Sequence, residues 1–415
     1  MINRTSKYRE SIILLFSTLI ISPLFDFYLG TVGGLNLWMV GGILYNLILI
    51  REIIEAYIKY KSLSIILIFT LSYSLIESII SENVLLQYSL FIISFNVFIS
   101  LVSISNKSSM KLLPILNTFL IIICFYGIYQ FIANIYNLPF TGKEIYRGRE
   151  TADFVQISSF FDEPAFLALY LISMLHIYLY YNLKRRTVYI FIIIVTIILS
   201  MSLSGILAMI VILSLYFIIQ FKKSIINNSS NRAIPLFITL VSIIILITFL
   251  FSDNIINSYI SHRFQSEIVE NISDIGNNPK VSVLSSNSSG GKRIIQEVNY
   301  FIYTIKNAPI LGFGLGYENE LNRPMGLNAI VEITVRWGLL GVIIFTTFFT
   351  TLIKRMKYKP GFSFYLFLIL YCFIDGAISK IQFWLFLGFV FYILNNDESI
   401  FKHKLQSERP NRTTI

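Results

Sequence analysis

The sequence predicts an all-α polytopic membrane protein, because it is too apolar for a soluble fold. Of its 415 residues, 55% are hydrophobic and only 13% are charged, and the mean hydropathy is +0.70. In a soluble domain roughly a quarter of the residues are charged. The apolar residues also fall in runs of about 20, the length that crosses a bilayer as a helix. We therefore expect residues 1–415 to form a single integral membrane domain.

Twelve apolar runs predict about twelve transmembrane helices. Only Ser202-Leu203-Ser204-Gly205 separates the seventh run from the eighth, and only Ser379-Lys380 separates the last two, so the number of helices depends on these two breaks. The runs cover residues 11–29, 35–50, 63–80, 84–104, 112–136, 164–182, 187–203, 205–221, 233–251, 328–352, 362–378 and 381–395.

The basic residues predict the orientation of the chain. If the amino terminus is inside, 22 of the 33 Lys and Arg residues fall on the inner side and 10 on the outer side, with Arg336 inside a span. Basic residues accumulate on the cytoplasmic side of membrane proteins. We therefore expect a multi-pass protein of the bacterial cytoplasmic membrane with both termini in the cytoplasm. The basic residues are not interleaved with aromatic ones, so no nucleic-acid partner is predicted.

Cysteines and histidines give no indication of a metal site or a cofactor. Cys124 and Cys372 each lie within an apolar run, and His176, His262 and His403 are far apart in the sequence. A zinc site or a disulfide framework needs closer and more numerous ligands. We expect neither a metal nor a cofactor.

Two connections on the predicted outer side are much longer than the rest, at residues 137–163 and 252–327. Loops longer than about 15 residues are usually functional or disordered. In the second loop, apolar residues recur at helical spacing and stop at Asn307-Ala308-Pro309, which predicts an amphipathic helix on the outer membrane surface. These apolar residues are Ile294, Ile295, Val298, Phe301, Ile302 and Ile305.

The first outer loop ends in a group of aromatic and acidic residues, 160–164, at the mouth of the sixth span. Acidic residues favour the positive end of a helix, so capping alone would explain Asp162 and Glu163. Alternatively, a carboxylate at the water–membrane boundary beside two phenylalanines is a candidate general base. Upstream, Arg147 and Arg149 are candidates to bind an anionic substrate group, or they are ordinary solvated loop charges.

The tenth span carries three polar residues on one helical face. Asn328, Glu332 and Arg336 are four residues apart. Charges within a bilayer normally face a protein interior or a wet cavity. Glu332 and Arg336 therefore form either a structural ion pair or part of a substrate site, with Glu332 as a second candidate catalytic carboxylate. Asp375 in the eleventh span has no partner near it in the sequence, and it is either a satisfied structural contact or a site residue.

The glycine-rich stretch Gly312–Gly316 allows backbone amides to approach a phosphate. It does not follow a strand or open a helix as a nucleotide-binding motif does, and no Lys-Ser/Thr pair follows it. A plain turn after Pro309 is the alternative. ATP is not a predicted partner.

Four motifs occur in a fixed order: FFDEPAF at the end of the first outer loop, SLSG between two spans, GKRIIQEVNYFIYTIKNAPILGFGLG, and LNAIVEITVRWGLLGVIIF. Together they resemble the bacterial O-antigen polymerase (Wzy) and O-antigen ligase superfamily. The resemblance covers the architecture of the whole chain, and its recognisable motifs lie at 158–166 and 291–345. It implies a metal-independent glycosyltransferase that uses undecaprenyl-diphosphate-linked sugars on the outer face of the cytoplasmic membrane.

The resemblance also implies roles for individual residues. An acceptor hydroxyl must attack an anomeric carbon while the lipid diphosphate leaves, which requires a base and cationic groups. By position, Glu163 matches the carboxylate of the first motif, Arg293 the arginine that opens the amphipathic helix, and Asn328 the polar entry to the next span.

Two departures from the superfamily pattern affect these expectations. The ligases are expected to have a histidine where this chain has Leu327-Asn328, which favours the polymerase branch. Many members place an arginine directly after the serine of the tight turn, where Gly205 stands here. The phosphate-binding cation is then expected among Arg263, Arg293 and Arg336.

The predicted function is therefore polymerisation of lipid-linked repeat units into surface polysaccharide, either O-antigen or capsule. Its predicted partners are undecaprenyl-diphosphate-linked oligosaccharide and the bilayer, with a chain-length regulator and a flippase as further candidates. The alternatives are an O-antigen ligase and a transporter or flippase of lipid-linked glycans, because Glu332, Arg336 and Asp375 also fit a coupling path. The lack of a repeat relating the two halves favours the enzyme.

Overall fold

A computed structural model describes the chain in separate stretches. The predicted spans 11–29, 233–251 and 362–378 lie outside them, as do most of 381–395 and large parts of both outer loops. The described residues are 31–32, 35–80, 85–104, 112–136, 138–139, 157–159, 161, 164–180, 186–226, 289–314, 328–356, 383–384, 387–388, 390–391 and 395.

Within these stretches the chain is helical except for one short antiparallel hairpin. Its strands are β1 (Thr31–Val32) and β2 (Leu35–Asn36), with Thr31 opposite Asn36. The helices are α1 (Leu37–Ile48), α2 (Ile50–Lys59), α3 (Lys61–Ile80), α4 (Leu85–Ile104), α5 (Leu112–Ile135), α6 (Pro164–Tyr180), α7 (Arg186–Leu199), α8 (Leu203–Ile226), α9 (Ser289–Asn307) and α10 (Ala329–Arg355).

Eight of the ten described helices coincide with predicted apolar runs. Two helical segments among them, Asn117–Ile135 and Ala329–Arg355, are long and apolar enough to cross a membrane. Five more are apolar but shorter. They are Lys61–Ile76, Phe91–Val102, Leu167–Leu179, Thr187–Leu199 and Ser204–Ile218. The apolar helices of the described residues have the character of a membrane protein, and the number of twelve spans stays a prediction.

The tight turn between α7 and α8 divides two apolar runs. Met201 adopts a positive φ of 48°, and Ser202 Oγ accepts a hydrogen bond from the Gly205 amide at 3.4 Å. A Cβ atom at Gly205 would come within 2.4 Å of the Ala168 Cβ on α6. The glycine therefore allows α8 to pack closely against α6.

Helix α2 was not predicted, because we searched for apolar runs of about 20 residues and this helix has ten. It is amphipathic: Ile53 and Ala56 are buried against the bundle. A second apolar row, Ile50, Ile54 and Ile58, is exposed at four-residue spacing. The stretch that we expected to be only a short basic connection is therefore a helix with one buried side and one exposed apolar side.

Aromatic side chains form the centre of the core between α4 and α10. The Trp384 ring lies 4.3 Å from that of Phe95 and 5.6 Å from that of Phe348, both at steep angles. Edge-to-face contacts of this kind add to the stabilisation from burial. The buried aromatic residues of this cluster are Phe91, Phe95, Phe98, Trp337, Phe345, Phe348, Phe383 and Trp384.

Helices α3 and α10 run in opposite directions. At one end, Arg355 Nη2 donates a hydrogen bond to Ser62 Oγ. Further along, Trp337 Nε1 donates to Ser74 Oγ at 2.8 Å. The amino-terminal part of α10, which carries Glu332 and Arg336, therefore lies at the opposite end of the bundle from Lys59 and Arg355.

Candidate active site

Helix α9 contains the predicted apolar face and ends at Asn307, where the sequence predicted its end. Its inner side packs against α10: Tyr300 contacts the small cluster formed by Val331 and Val335. Its outer side is apolar and exposed. The exposed residues are Val298, Phe301, Ile302, Tyr303 and Ile305.

A carboxylate joins α9 to the beginning of α10. Glu297 Oε1 accepts a hydrogen bond from the Asn328 backbone amide, and Glu297 Oε2 accepts one from Asn328 Nδ2, both at 2.8 Å. Asn328 Oδ1 in turn accepts a bond from the Val331 amide at 2.9 Å and caps α10. Asn328 thus serves as helix cap and as interhelical link, and its predicted contact with substrate stays a prediction.

Glu297 was not among the predicted site residues. It lies one turn after Arg293 on α9 and makes its contacts with a residue 31 positions later. No helical or strand periodicity relates residues so far apart, so spacing arguments could not find this link. The only sequence indication was an acidic residue within an otherwise basic and apolar helix.

One turn further along α10, Glu332 and Arg336 form an ion pair, which was one of their two interpretations from the sequence. Arg336 Nη1 lies 3.1 Å from Glu332 Oε1, and the two side chains are only 6% and 3% exposed. Breaking such a pair by removing one partner leaves an uncompensated buried charge. The pair therefore fixes a cation inside the protein, two turns below the start of α10.

Helix α10 is interrupted directly after this pair. Gly338 has φ 59° and ψ −156°, which stops the regular hydrogen bonding of the helix. The segment after α9 takes over these bonds: the Leu339 amide donates to the Pro309 carbonyl at 2.9 Å, and the Gly314 amide donates to the Arg336 carbonyl at 2.8 Å. Irregular backbone inside a membrane protein persists where other protein groups satisfy it in this way.

Two glycines make this backbone contact possible. A Cβ atom on Gly338 would come within 2.4 Å of the Ile310 carbonyl oxygen, and one on Gly312 within 2.6 Å of the Arg336 carbonyl carbon. The amides of Gly312, Phe313 and Gly314 all donate to backbone carbonyls. In residues 312–314 the glycine-rich stretch is therefore a turn docked onto α10, and these amides are not available for a phosphate.

Helix α3 supports the docked turn from the other side. Tyr73 donates its hydroxyl hydrogen to the Leu311 carbonyl at 2.5 Å. Trp337, next to the interruption, is buried and bonded to Ser74. The segment that carries Arg336 is thus held by α3, by α9 and by the turn that follows α9.

A second buried contact holds the end of the first outer loop. Gln130 on α5 accepts a hydrogen bond from the Ser159 amide at 2.8 Å and donates one to the Ser159 carbonyl at 3.0 Å. Ser159 Oγ donates to the Ile123 carbonyl, and Ser159 has a positive φ of 53°. This arrangement fixes the chain four residues before Glu163, at the start of α6.

Several predicted site residues lie outside the described residues. The backbone of Arg293 is described as part of helix α9, but its side chain lies outside the described residues. Of the predicted set, the described side chains are those of Asn328, Glu332 and Arg336. In the described parts of the chain, no three His, Cys, Asp or Glu residues come together as a metal-binding group. The residues outside are Arg147, Arg149, Asp162, Glu163, Arg263 and Asp375.

The apolar helices of the described chain have the character of a membrane protein, and its polar site lies at one end of the bundle. A family model described as O-antigen ligase matches residues 188–346, which is less than half of the chain. This match confirms the predicted resemblance to the O-antigen polymerase and ligase superfamily. It runs from α7 to α10, so it includes Glu297, the ion pair and the interruption, but not the FFDEPAF motif.

The match supports an enzyme of glycosyl-transfer type, a polymerase or ligase in general, that acts on lipid-linked glycans in a membrane. No curated protein and no solved structure gave a match.

Proposed function

We propose that this protein polymerises undecaprenyl-diphosphate-linked oligosaccharide repeat units on the outer face of the cytoplasmic membrane. The observation that carries the proposal is the buried cation Arg336, held beside Glu332 at the end of the bundle where amphipathic helix α9 is joined to α10. A lipid-linked diphosphate has its charge just above its acyl chain, so the proposal requires this end of the bundle to lie at the outer surface of the membrane.

The exposed side of α9 suits a helix that lies on the outer leaflet. Phe301 and Ile302 are exposed while Thr304 on the other side is buried. A helix with one apolar exposed side binds in the interfacial plane of a bilayer. Such a position would bring the diphosphate of a membrane-bound substrate close to the beginning of α10.

The proposed reaction forms one bond and breaks one. A sugar hydroxyl of one repeat unit attacks the anomeric carbon of another, and the bond from that carbon to the diphosphate oxygen breaks. The electron pair leaves with the lipid diphosphate, and the hydroxyl proton passes to a carboxylate. Cations near the leaving diphosphate stabilise its developing charge.

Glu163 is the proposed proton acceptor. Glu332 has a cationic neighbour at 3.1 Å in the described site, which suits it to hold Arg336 in position rather than to take up a proton. In the sequence, Glu163 directly precedes Pro164, the first residue of α6, and follows Ser159, which Gln130 fixes, by four positions. Arg147, Arg149, Arg263 and Arg293 are the further proposed ligands of the diphosphate and its sugars.

A ligase is the second candidate, because the matching family model carries that description. Polymerase is favoured by the residues before α10, where Leu327-Asn328 replace the histidine expected of ligases. In the described site, Asn328 caps α10 and donates a hydrogen bond to Glu297, so the residue at this position has a structural task.

Analysis of surface glycan from a deletion strain separates these functions. Loss of a polymerase leaves single repeat units on lipid A or on the lipid carrier. Loss of a ligase leaves long polymer that is not attached to lipid A. Long unattached polymer in the deletion strain would overturn the proposal in favour of the ligase.

A further inference from the structure

One exposed aromatic residue of α9 stands apart from the apolar row of this helix. The row consists of Val298, Phe301, Ile302 and Ile305, which are all exposed. At about 100° per residue, Tyr303 lies about 150° around the helix from the centre of this row. A tyrosine that anchors a helix in the interfacial region of a bilayer is expected beside the apolar row. Its position therefore separates Tyr303 from the side of α9 that we place on the membrane.

The Tyr303 ring is held by a stacking contact and is still largely accessible. It lies nearly parallel to the ring of Phe313, with 5.5 Å between the centroids and 21° between the planes. The residue is nevertheless 50% exposed. Within the described part of the chain, its hydroxyl makes no hydrogen bond. An aromatic ring that is fixed in orientation but half exposed can pack against a ligand without first being ordered.

A carboxamide lies one turn after Tyr303 on the same side of α9. Asn307 is exposed, and its Nδ2 donates a hydrogen bond to the Tyr303 carbonyl at 2.9 Å. This bond occupies one of the two Nδ2 hydrogens, so the carboxamide keeps a donor and an acceptor. A sugar has an apolar C–H face and a row of hydroxyl groups. The C–H face packs on the electron-rich face of an aromatic ring, and the hydroxyls bond to groups such as amides.

Phe313 connects this side of α9 to the segment that carries the buried cation. The Phe313 amide donates a hydrogen bond to the carbonyl of Val335, the residue before Arg336, at 2.8 Å. The Phe313 side chain packs on Val331 and Val335. The Tyr303 ring is thus stacked on a residue that is bonded to the proposed diphosphate-binding segment. A sugar close to the diphosphate of a lipid-linked glycan is therefore within reach of this ring.

We propose that Tyr303 and Asn307 form a subsite for one sugar of the glycan substrate. The sugar packs its C–H face on the Tyr303 ring, and its hydroxyls bond to the Tyr303 hydroxyl and the Asn307 carboxamide. That the ligand is a glycan rests on the proposed function, and it is supported by the family match, which is to proteins that act on lipid-linked glycans. The subsite does not depend on whether the glycan is then polymerised or ligated.

The test is glycan binding by the purified full chain in detergent, followed by saturation-transfer difference NMR. The probe is the glycan that mild acid releases from the lipid carrier of the deletion strain. We expect Tyr303→Leu to weaken binding about tenfold, because the stacking partner of the sugar is lost. Tyr303→Phe keeps the ring and the fold, and it should weaken binding about three- to fivefold through the loss of one hydrogen bond. Melting temperatures show that each variant is folded.

Phe301→Leu is the matched control. It removes an exposed aromatic ring from the same helix, but within the apolar row, and it should leave the affinity for the glycan unchanged. Equal weakening in Phe301→Leu and Tyr303→Leu would overturn the subsite. It would also be overturned if the wild-type protein bound no glycan at millimolar concentration. Loss of vesicle binding in Tyr303→Leu at unchanged glycan affinity would assign the ring to the membrane and overturn it as well.

The binding assay keeps the subsite and the proposed function apart. A protein that binds the glycan with the expected pattern of variants but makes no polymer would contradict the polymerase and support the subsite. Polymer formation by the wild-type protein, with unchanged glycan affinity in both Tyr303 variants, would support the polymerase and overturn the subsite.

Discussion

Glu297 uses both oxygens of one carboxylate to hold two helices together. Its contacts are a backbone amide and a side-chain amide of the same residue, Asn328. Because Asn328 also caps α10, the position of α9 and the first turn of α10 are set by the same three hydrogen bonds. Any residue that α9 contributes to the site, Arg293 included, depends on this link for its position relative to Arg336.

Removing the link between Glu297 and Asn328 should lower both the free energy of unfolding and the activity of the protein. Glu297→Ala deletes two hydrogen bonds to a charged acceptor, each contributing about 1.5–3 kcal/mol. We expect the free energy of unfolding in detergent to fall by about 2 kcal/mol or more, together with loss of polymer. Lys306→Ala, at an exposed position on the same helix, is the control and should change neither quantity. Normal polymer from Glu297→Ala would show that the link does not position the site.

Exchanging the two charges of the buried ion pair distinguishes a structural role of Arg336 from a role in binding the substrate. Each single reversal, Glu332→Arg or Arg336→Glu, places two like charges side by side in the interior and should destabilise the protein by about 3–5 kcal/mol. The double reversal restores the pair and should restore stability. If Arg336 binds the diphosphate, activity does not return, because the cation has moved about 6 Å along the helix. A double reversal that makes polymer would leave the pair with a structural role only.

At the scale of elements, the interruption of α10 and the turn after α9 form one unit. The backbone groups of each satisfy those of the other. The carbonyls of Pro309 and Ile310 in the turn accept hydrogen bonds from amides of α10, and amides of the turn donate to the carbonyls of Val335 and Arg336. This exchange connects the end of the amphipathic helix to the residue that carries the buried cation.

Gly338→Ala tests this unit. Alanine at φ 59° and ψ −156°, a backbone region that is almost restricted to glycine, is strained by about 1–3 kcal/mol, and its Cβ would lie 2.4 Å from the Ile310 carbonyl oxygen. We expect the melting temperature to fall and polymer formation to be reduced at least about tenfold. Gly127→Ala on α5 is the comparison variant, because its Cβ would meet side-chain atoms rather than backbone, at 3.2 Å from the flexible end of Ile157, 3.4 Å from Thr196 Cγ2 and 3.6 Å from Ser159 Cβ. Equal behaviour of the two variants would contradict the proposed role of the interruption.

The sequence predicted those features that depend on local spacing. The i, i+4 spacing of Glu332 and Arg336 placed them on one helical face, with an ion pair as one of two interpretations, and Asn307-Ala308-Pro309 predicted the end of α9. Contacts between distant segments were not predictable, such as that of Gln130 with Ser159. The interruption at Gly338 was also missed, because a glycine in an apolar run is compatible with an unbroken helix until a second segment is known to approach it.

For the whole molecule, the orientation of the bundle decides on which side the site works. The structure puts Lys59 and Arg355 at one end and the Glu297–Asn328 link toward the other. This separation agrees with the basic asymmetry of the sequence, which assigns Lys59 and Arg355 to the inner side. The outer position of the site follows from that assignment and stays a prediction.

Thiol labelling tests the orientation directly. In a chain with Cys124→Ala and Cys372→Ala, we expect single cysteines at Ser288 and Lys143 to react with a membrane-impermeant reagent in intact spheroplasts. A cysteine at Asn227 should react only after lysis. Labelling of Asn227 alone in intact cells would invert the orientation and move the proposed site to the cytoplasm.

The most direct test of the polymerase proposal is synthesis by the purified protein. The chain in detergent would be supplied with a synthetic undecaprenyl-diphosphate-linked repeat unit and a metal chelator, and the products separated by length. We predict a ladder of repeat units with release of undecaprenyl diphosphate, and loss of the ladder in Glu163→Gln at unchanged melting temperature. Absence of any product longer than one repeat from the stable wild-type protein, with transfer only when lipid A is added, would contradict the account.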